Sequence, residues 1–266
     1  MIRTSKLSLS FNTKPLEAEL QLILPDEWIR HFNHDYFEGQ WDGVPLRSPG
    51  GMAHQIYPDP HAHGEVIDTV FLGRCPNLRH VVESFHCRIR SARLLRLTPG
   101  SIIREHRDDN LAFEDGEARL HIPITSNTGV EFFLDGEQVE LQPGECWYLN
   151  FSLAHKVVNR GHSDRVHLVI DCVVNEWLKG QILRNASETE ELPVRVTTPL
   201  GGWPEFREEV LKDLSLQVRL REIEDRQTFV RLAVRLGAEK GFCFSADDVE
   251  SAMRDGRRVW IERWIG

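Results

Sequence analysis

Three residues stand out for the chemistry they could share. His106 and Asp108 sit two positions apart where an apolar run ends in "IIREHRDDN", and His155 follows 49 residues later. In extended chain, residues i and i+2 project to the same side, so an imidazole and a carboxylate from one strand end face a common point. Two histidines and one carboxylate on one face of a ferrous ion leave its other coordination positions open to a bidentate 2-oxo acid and to oxygen. A second His-x-Asp, at His162 and Asp164, lies among turn residues, and no histidine beyond His167 completes a set there.

Such a site needs a cation for the far carboxylate of the 2-oxo acid. Arg165, ten residues after His155 at the start of the run "RVHLVIDCVV", offers a fixed guanidinium fork suited to a carboxylate. Arg119 and His121 in "RLHIPI" share the i, i+2 spacing and can point inward together. Blander readings stand beside these: an ion pair of the strand end with Arg104 or Arg107, a solvated strand face for Arg119 and His121, and pairing of Arg165 with Asp164 or Asp171. His167 is expected on the side of Arg165, as a satisfied core histidine or at the pocket. His61 and His63 in "DPHAHGE" read as a surface loop, and Trp41, Trp147 and Trp177 as packing residues.

The elements that must position these residues are short strands. Between 91 and 174 the runs "ARLLRLTP", "SIIREH", "RLHIPI", "VEFFL", "QVEL", "CWYLN", "HKVVNR" and "RVHLVIDCVV" alternate with turn signals at Pro99-Gly100, Asp135-Gly136, Pro143-Gly144 and Gly161 to Asp164. Asp-Gly between apolar runs marks a type I′ hairpin, and strands at this spacing predict a barrel or sandwich. Residues 1–85 mix strand-like and helix-like pieces such as "LQLILP" and "VVESF" with polar loops. Beyond "NASETEELPVRVTTPLGGWPEF", apolar residues recur at helical steps (Phe206, Val210, Leu211, Leu214; Phe229, Leu232, Ala233, Leu236), and Ser245 with Asp248 resembles a capping box. The expected organisation is a β domain over 1–180, a linker over 181–202 and a helical domain over 203–266.

Composition narrows the function classes. Lys and Arg total 32 against 41 Asp and Glu, a net charge of −9 that argues against nucleic-acid partners. No apolar run approaches the ~20 residues of a spanning helix, and the opening "MIRTSKLSLSFNTKPLEAEL" has no apolar core of a secretory signal. The expectation is a cytoplasmic protein without membrane contact. The five cysteines are scattered and never in a CxxC pair, as expected of reduced thiols rather than a disulfide frame or zinc site.

The segment from His106 to Val174 resembles the aspartyl/asparaginyl β-hydroxylase family of Fe(II)/2-oxoglutarate dioxygenases, which includes free-proline hydroxylases. The likeness rests on the order H-x-D, R-x-H, a Gly-Glu turn with an aromatic strand, His, and Arg ten residues later, and it spans about residues 90–178. It implies a double-stranded β-helix, the jelly roll also built by cupins. Iron would be held by His106, Asp108 and His155, the 2-oxoglutarate tail by Arg165, and the co-substrate pocket would be lined by Arg119 and His121, with O2 as the oxidant. The branch acting on epidermal-growth-factor-like domains has Gly where this chain has Asp108, whereas free-proline enzymes keep the acid. Residues 203–253 are similar to the nitrogen-fixation-associated leader-peptide family, which implies contact with a peptide leader or another copy through the helical tail. The expected substrate is an amino acid, free or within a peptide, with a proline-like or Asp/Asn-like side chain. The rival expectation is a cupin-like module that binds a metal or small ligand without turnover.

Overall fold

The computed structural model describes residues 1–32, 34–56, 65–108, 111–188, 200–213, 216–217, 220, 223 and 226–254. The segment holding His61 and His63, and half of the expected linker, lie outside them. The chain divides into two units, Met1–Glu190 and Glu191–Gly266. The first runs further than the expected boundary at 180: helix α4 (Glu176–Leu183) belongs to it, and β14 (Ala186–Glu188) pairs with β1 (Ile2–Ser10).

The first unit is built on two sheets. The larger follows the order β14, β1, β11 (Glu145–Leu149), β8 (Glu117–Thr125), β13 (Arg165–Val173), β6 (Ile89–Leu97), β4 (Trp41–Pro49) and β2 (Ile29–Arg30), with β5 (Val66–Asp68) against β4. The smaller runs β10 (Glu137–Gln138), β9 (Val130–Leu134), β12 (His155–Asn159), β7 (Ile102–His106) and β3 (Phe37–Glu38). The Asp135-Gly136 hairpin forms with φ of 53° and 80°, as a type I′ turn requires. "LQLILP" is not a strand: Leu20 closes helix α1 (Thr13–Leu20), and Pro25–Glu27 form a 3-10 turn.

Period-two alternation sorts the larger sheet into two faces. On β13, Val166, Leu168, Ile170 and Cys172 join Leu16, Leu72, Leu78 and Val82 in a core under the helices α1, α2 (Val70–Gly73) and α3 (Pro76–Glu83). The alternate residues Arg165, His167, Val169 and Asp171 face the smaller sheet. There, Leu95, Leu97, Phe132, Leu134, Phe151 and Val157 pack a second core. Buried charge on an otherwise apolar inner face is costly unless paired. That face is where the chemistry-bearing residues gather.

The second unit has its own core, in which Phe206, Val230, Ala233, Leu236 and Val249 are buried. Helices α5 (Trp203–Lys212) and α6 (Arg226–Glu239) carry most of it. Ser245 and Asp248 close the expected box: the Ser245 N–H donates to Asp248 Oδ2 at 2.8 Å, and the Asp248 N–H donates to Ser245 Oγ at 3.3 Å.

Candidate active site

One atom each from His106, Asp108 and His155 lies within 4.8 Å of the others. Their convergence depends on strand pairing. His155 opens β12 directly opposite His106 at the end of β7. Between this pair and Val157 opposite Ile103, β7 carries three steps where β12 carries two. The extra residue is a bulge, which brings His106 onto the inward face of Ile103 and leaves Arg104 and Glu105 exposed. Asp108 then hangs from the Phe151 carbonyl through its own N–H at 2.9 Å. Its Oδ1 stands 3.5 Å from His106 Nε2.

Both imidazoles are turned the same way. His106 Nδ1 lies 2.8 Å from the Arg104 carbonyl and His155 Nδ1 3.0 Å from the Leu153 carbonyl. A carbonyl only accepts, so each ring carries a hydrogen on Nδ1 and keeps Nε2 as the nitrogen available to a metal. This donor set, two imidazole nitrogens and a carboxylate oxygen, fits a first-row divalent metal. Burial brings His155 down to about 4, ahead of opposing attraction from Asp108. It is held neutral, as a metal ligand must be.

The partner of Asp108 is neither Arg104, which pairs with Glu38, nor Arg107, which donates to the Ser152 carbonyl. Arg119 Nη1 bonds Asp108 Oδ2, while its Nε and Nη2 reach the two oxygens of Asp171 at 2.7 and 3.2 Å. Arg93 Nη1 completes the chain, 2.7 Å from Asp171 Oδ2 and 2.6 Å from Ser91 Oγ. Burial alone would raise both carboxylates. The guanidinium of Arg119, with Arg93 at Asp171 and the site histidines at Asp108, outweighs it and keeps both acids low. The solvated-face alternative for Arg119 and His121 does not hold: both line the interior cleft.

Arg165 presents the opposite case. It is 2% exposed, and among the described residues no carboxylate pairs with it, neither Asp164 nor Asp171. Burial alone lowers it to about 9. Its Nε and His121 Nε2 are buried without hydrogen-bond partners. Orphaned buried polar groups are costly, and these two border a cleft of ≈ 380 Å³ shared with His106, Asp108 and His155. An unneutralised guanidinium facing a cleft suits an anionic ligand.

Sequence reasoning missed part of the surroundings. His31, in a polar stretch, is buried and stacks on Trp41 with ring centroids 3.6 Å apart at 8°. Burial lowers it to about 4, with Arg93 adding to the effect. Trp41 is more than packing, since it lines the cleft and its Nε1 has no partner. Tyr36 stacks on His106 at 4.9 Å. The signal for Arg93 was present: it occupies an inward position of "SARLLRL", between Ser91 and Leu95.

Two apposed sheets with this cluster at one end make the protein a double-stranded β-helix, the fold of cupins and 2-oxoglutarate oxygenases. Residues 10–174 match the aspartyl/asparaginyl beta-hydroxylase family, and the chain belongs to it. It is therefore a hydroxylase, and the non-catalytic module is set aside. An L-proline cis-4-hydroxylase of Rhizobium meliloti (strain 1021) is 26% identical over 260 residues, covering 96% of this chain and 90% of the relative. Among solved structures, a 2OG-Fe(II) oxygenase family oxidoreductase from Burkholderia pseudomallei has 18% identity and a TM-score of 0.37, covering 60% of this chain and 78% of that one. A viral collagen prolyl hydroxylase from Paramecium bursaria Chlorella virus-1 has 11% identity and a TM-score of 0.36, covering 64% of this chain and 96% of its own. No helix among the described residues is long and apolar enough to cross a membrane.

Proposed function

We propose that the chain is an Fe(II)/2-oxoglutarate-dependent dioxygenase that hydroxylates a free proline-like amino acid. The observation that carries the reading is the pairing, in one cleft, of the His106, Asp108 and His155 cluster with the unneutralised Arg165. His106 and His155 would hold iron through Nε2 and Asp108 through Oδ1. Arg165 would take the far carboxylate of 2-oxoglutarate, and His121 would line the pocket beside it. Arg119 borders the same pocket, but its nitrogens are engaged by Asp108 and Asp171, so its part is to hold the Asp108 carboxylate in place.

When bound, iron with 2-oxoglutarate and O2 supplies oxidising power for insertion of one oxygen into a C–H bond, releasing succinate and carbon dioxide. The chain's own residues orient and insulate. The backbone carbonyls of Arg104 and Leu153 fix the ligand tautomers, and Phe132, Phe151, Leu95 and Val157 keep the cleft wall apolar and limit water. The full-length likeness to a proline hydroxylase supports a free imino acid over a folded protein.

The test is succinate release by anaerobically iron-loaded protein on admission of air, across a panel of free amino acids and short Asp-, Asn- or Pro-containing peptides. Proline or a close analogue should stimulate release most. Stimulation by peptides alone would move the substrate to a residue in a chain and return the helical unit to consideration as a peptide-docking module.

A further inference from the structure

His167 has no part in the chemistry above, yet it joins Arg165, assigned to the co-substrate carboxylate, to His121 beside it. It is 1% exposed. Its Nδ1 lies 2.9 Å from Arg165 Nη2 and 3.2 Å from His121 Nδ1. A guanidinium only donates, so His167 Nδ1 is bare and the ring carries its hydrogen on Nε2. That bare nitrogen also faces His121. Two lone pairs at such a separation would repel, so His121 carries its hydrogen on Nδ1 and donates it. One nitrogen thus accepts from both neighbours and fixes the direction of the Arg165 fork and the plane of the His121 ring.

The chemical type at position 167 matters as much as its reach. Elsewhere on the same inner face, Asp171 accepts from Arg93 and Arg119 and neutralises charge as it orients them. His167 orients a guanidinium with a neutral acceptor and leaves its full charge for the cleft. We propose that His167 is a positioning residue for the anionic co-substrate: braced by the His121 N–H, it aims Arg165 without consuming the cation that binds the carboxylate. The inference rests on the assignment of 2-oxoglutarate to this cleft.

Asparagine places a neutral carbonyl oxygen near the Nδ1 position of histidine, aspartate places a charged one there, and leucine none. The full-length protein is loaded with Mn(II), which does not turn over without oxygen, and titrated with 2-oxoglutarate by calorimetry. A lost charge-assisted hydrogen bond weakens binding by about tenfold or more. His167→Leu should show that loss, His167→Asp should show at least as much, and His167→Asn should stay within about threefold of the wild type. Mn(II) affinity should be the same in all four proteins. Wild-type-like 2-oxoglutarate binding by the Leu and Asp variants would overturn the inference. Wild-type protein that binds Mn(II) but not 2-oxoglutarate would overturn the co-substrate assignment first, and this role with it. A measurement independent of variant folding is the nitrogen-15 histidine spectrum of the wild type. It should show His167 with its hydrogen on Nε2 and His121 with its hydrogen on Nδ1; the reverse tautomer at His167 would refute the wiring.

Discussion

At the scale of single residues, the two oxygens of Asp108 divide their work: Oδ2 takes Arg119, and Oδ1 faces His106 Nε2. Removing Arg119 therefore frees a carboxylate that should be fixed. Arg119→Met should weaken ferrous-ion affinity about tenfold to 100-fold, in the range of outer-ligand substitutions, as read by anaerobic titration; unchanged affinity would show that Asp108 needs no such hold. Asp171→Asn would leave Arg93 and Arg119 buried with one carboxylate fewer, and should cost about 3–5 kcal/mol in chemical denaturation. The buried histidines set the acid limit. His31 is lowered to about 4, and His121 and His167 well below the usual value, chiefly by burial. Their folded pKa lies below the unfolded value of about 6.5, so the unfolded chain binds protons first as pH falls. Their contribution is intact above about 6.5 and is lost as pH drops from there toward 4. The denaturation midpoint of the metal-free protein should fall steadily across that window, and a flat profile would contradict neutral burial. Spacing made the His106, Asp108 and His155 set legible. Only the inward position of Arg93 was readable; its pairing with Asp171, and the place of His31, arise from cross-strand register, which one sequence does not display.

At the scale of elements, the β7 bulge carries the clearest consequence. Ile103 and His106 face inward together only because one extra residue lies between them. Excising Glu105 restores regular alternation with His106 still in phase and should keep ferrous-ion affinity within about tenfold. Excising Arg107 breaks the i, i+2 relation of His106 and Asp108 and should lower affinity more than about 100-fold. Equal losses in the two deletions would remove the bulge argument. The strands after residue 89 were readable from alternation and turn residues, though of "QVEL" only Gln138 lies in a strand, the two-residue β10. The first half was harder. β4, "WDGVPLRSP", holds a glycine and two prolines that read as turn signals, yet eight of its nine residues are buried. A register shift between Pro45 and Arg47 accommodates the missing proline N–H. β1 is also nine residues long, and its Thr, Lys and Ser masked it.

At the scale of the whole molecule, the catalytic proposal concerns the unit Met1–Glu190 alone, since every residue of the cleft lies within it. The second unit has a separate apolar core around Phe206 and Leu236. Truncation after Glu190 should leave ferrous-ion affinity within about threefold, because no ligand or supporting residue is removed. A larger loss would tie the helical unit to the site. The helical nature of that unit was legible in its periodicity, with its first helix opening at Trp203, whereas the end of the β unit was not, because that unit adds a helix and a paired strand just where composition turns polar. The central claim is that this cleft inserts oxygen from O2 into an amino acid at the expense of 2-oxoglutarate. Turnover of proline under isotopically labelled dioxygen tests it most directly. Mass spectrometry should find one labelled oxygen per product molecule, succinate formed in equal amount, and neither in Asp108→Ala. Product lacking the label, or labelled product undiminished in that variant, would contradict the account.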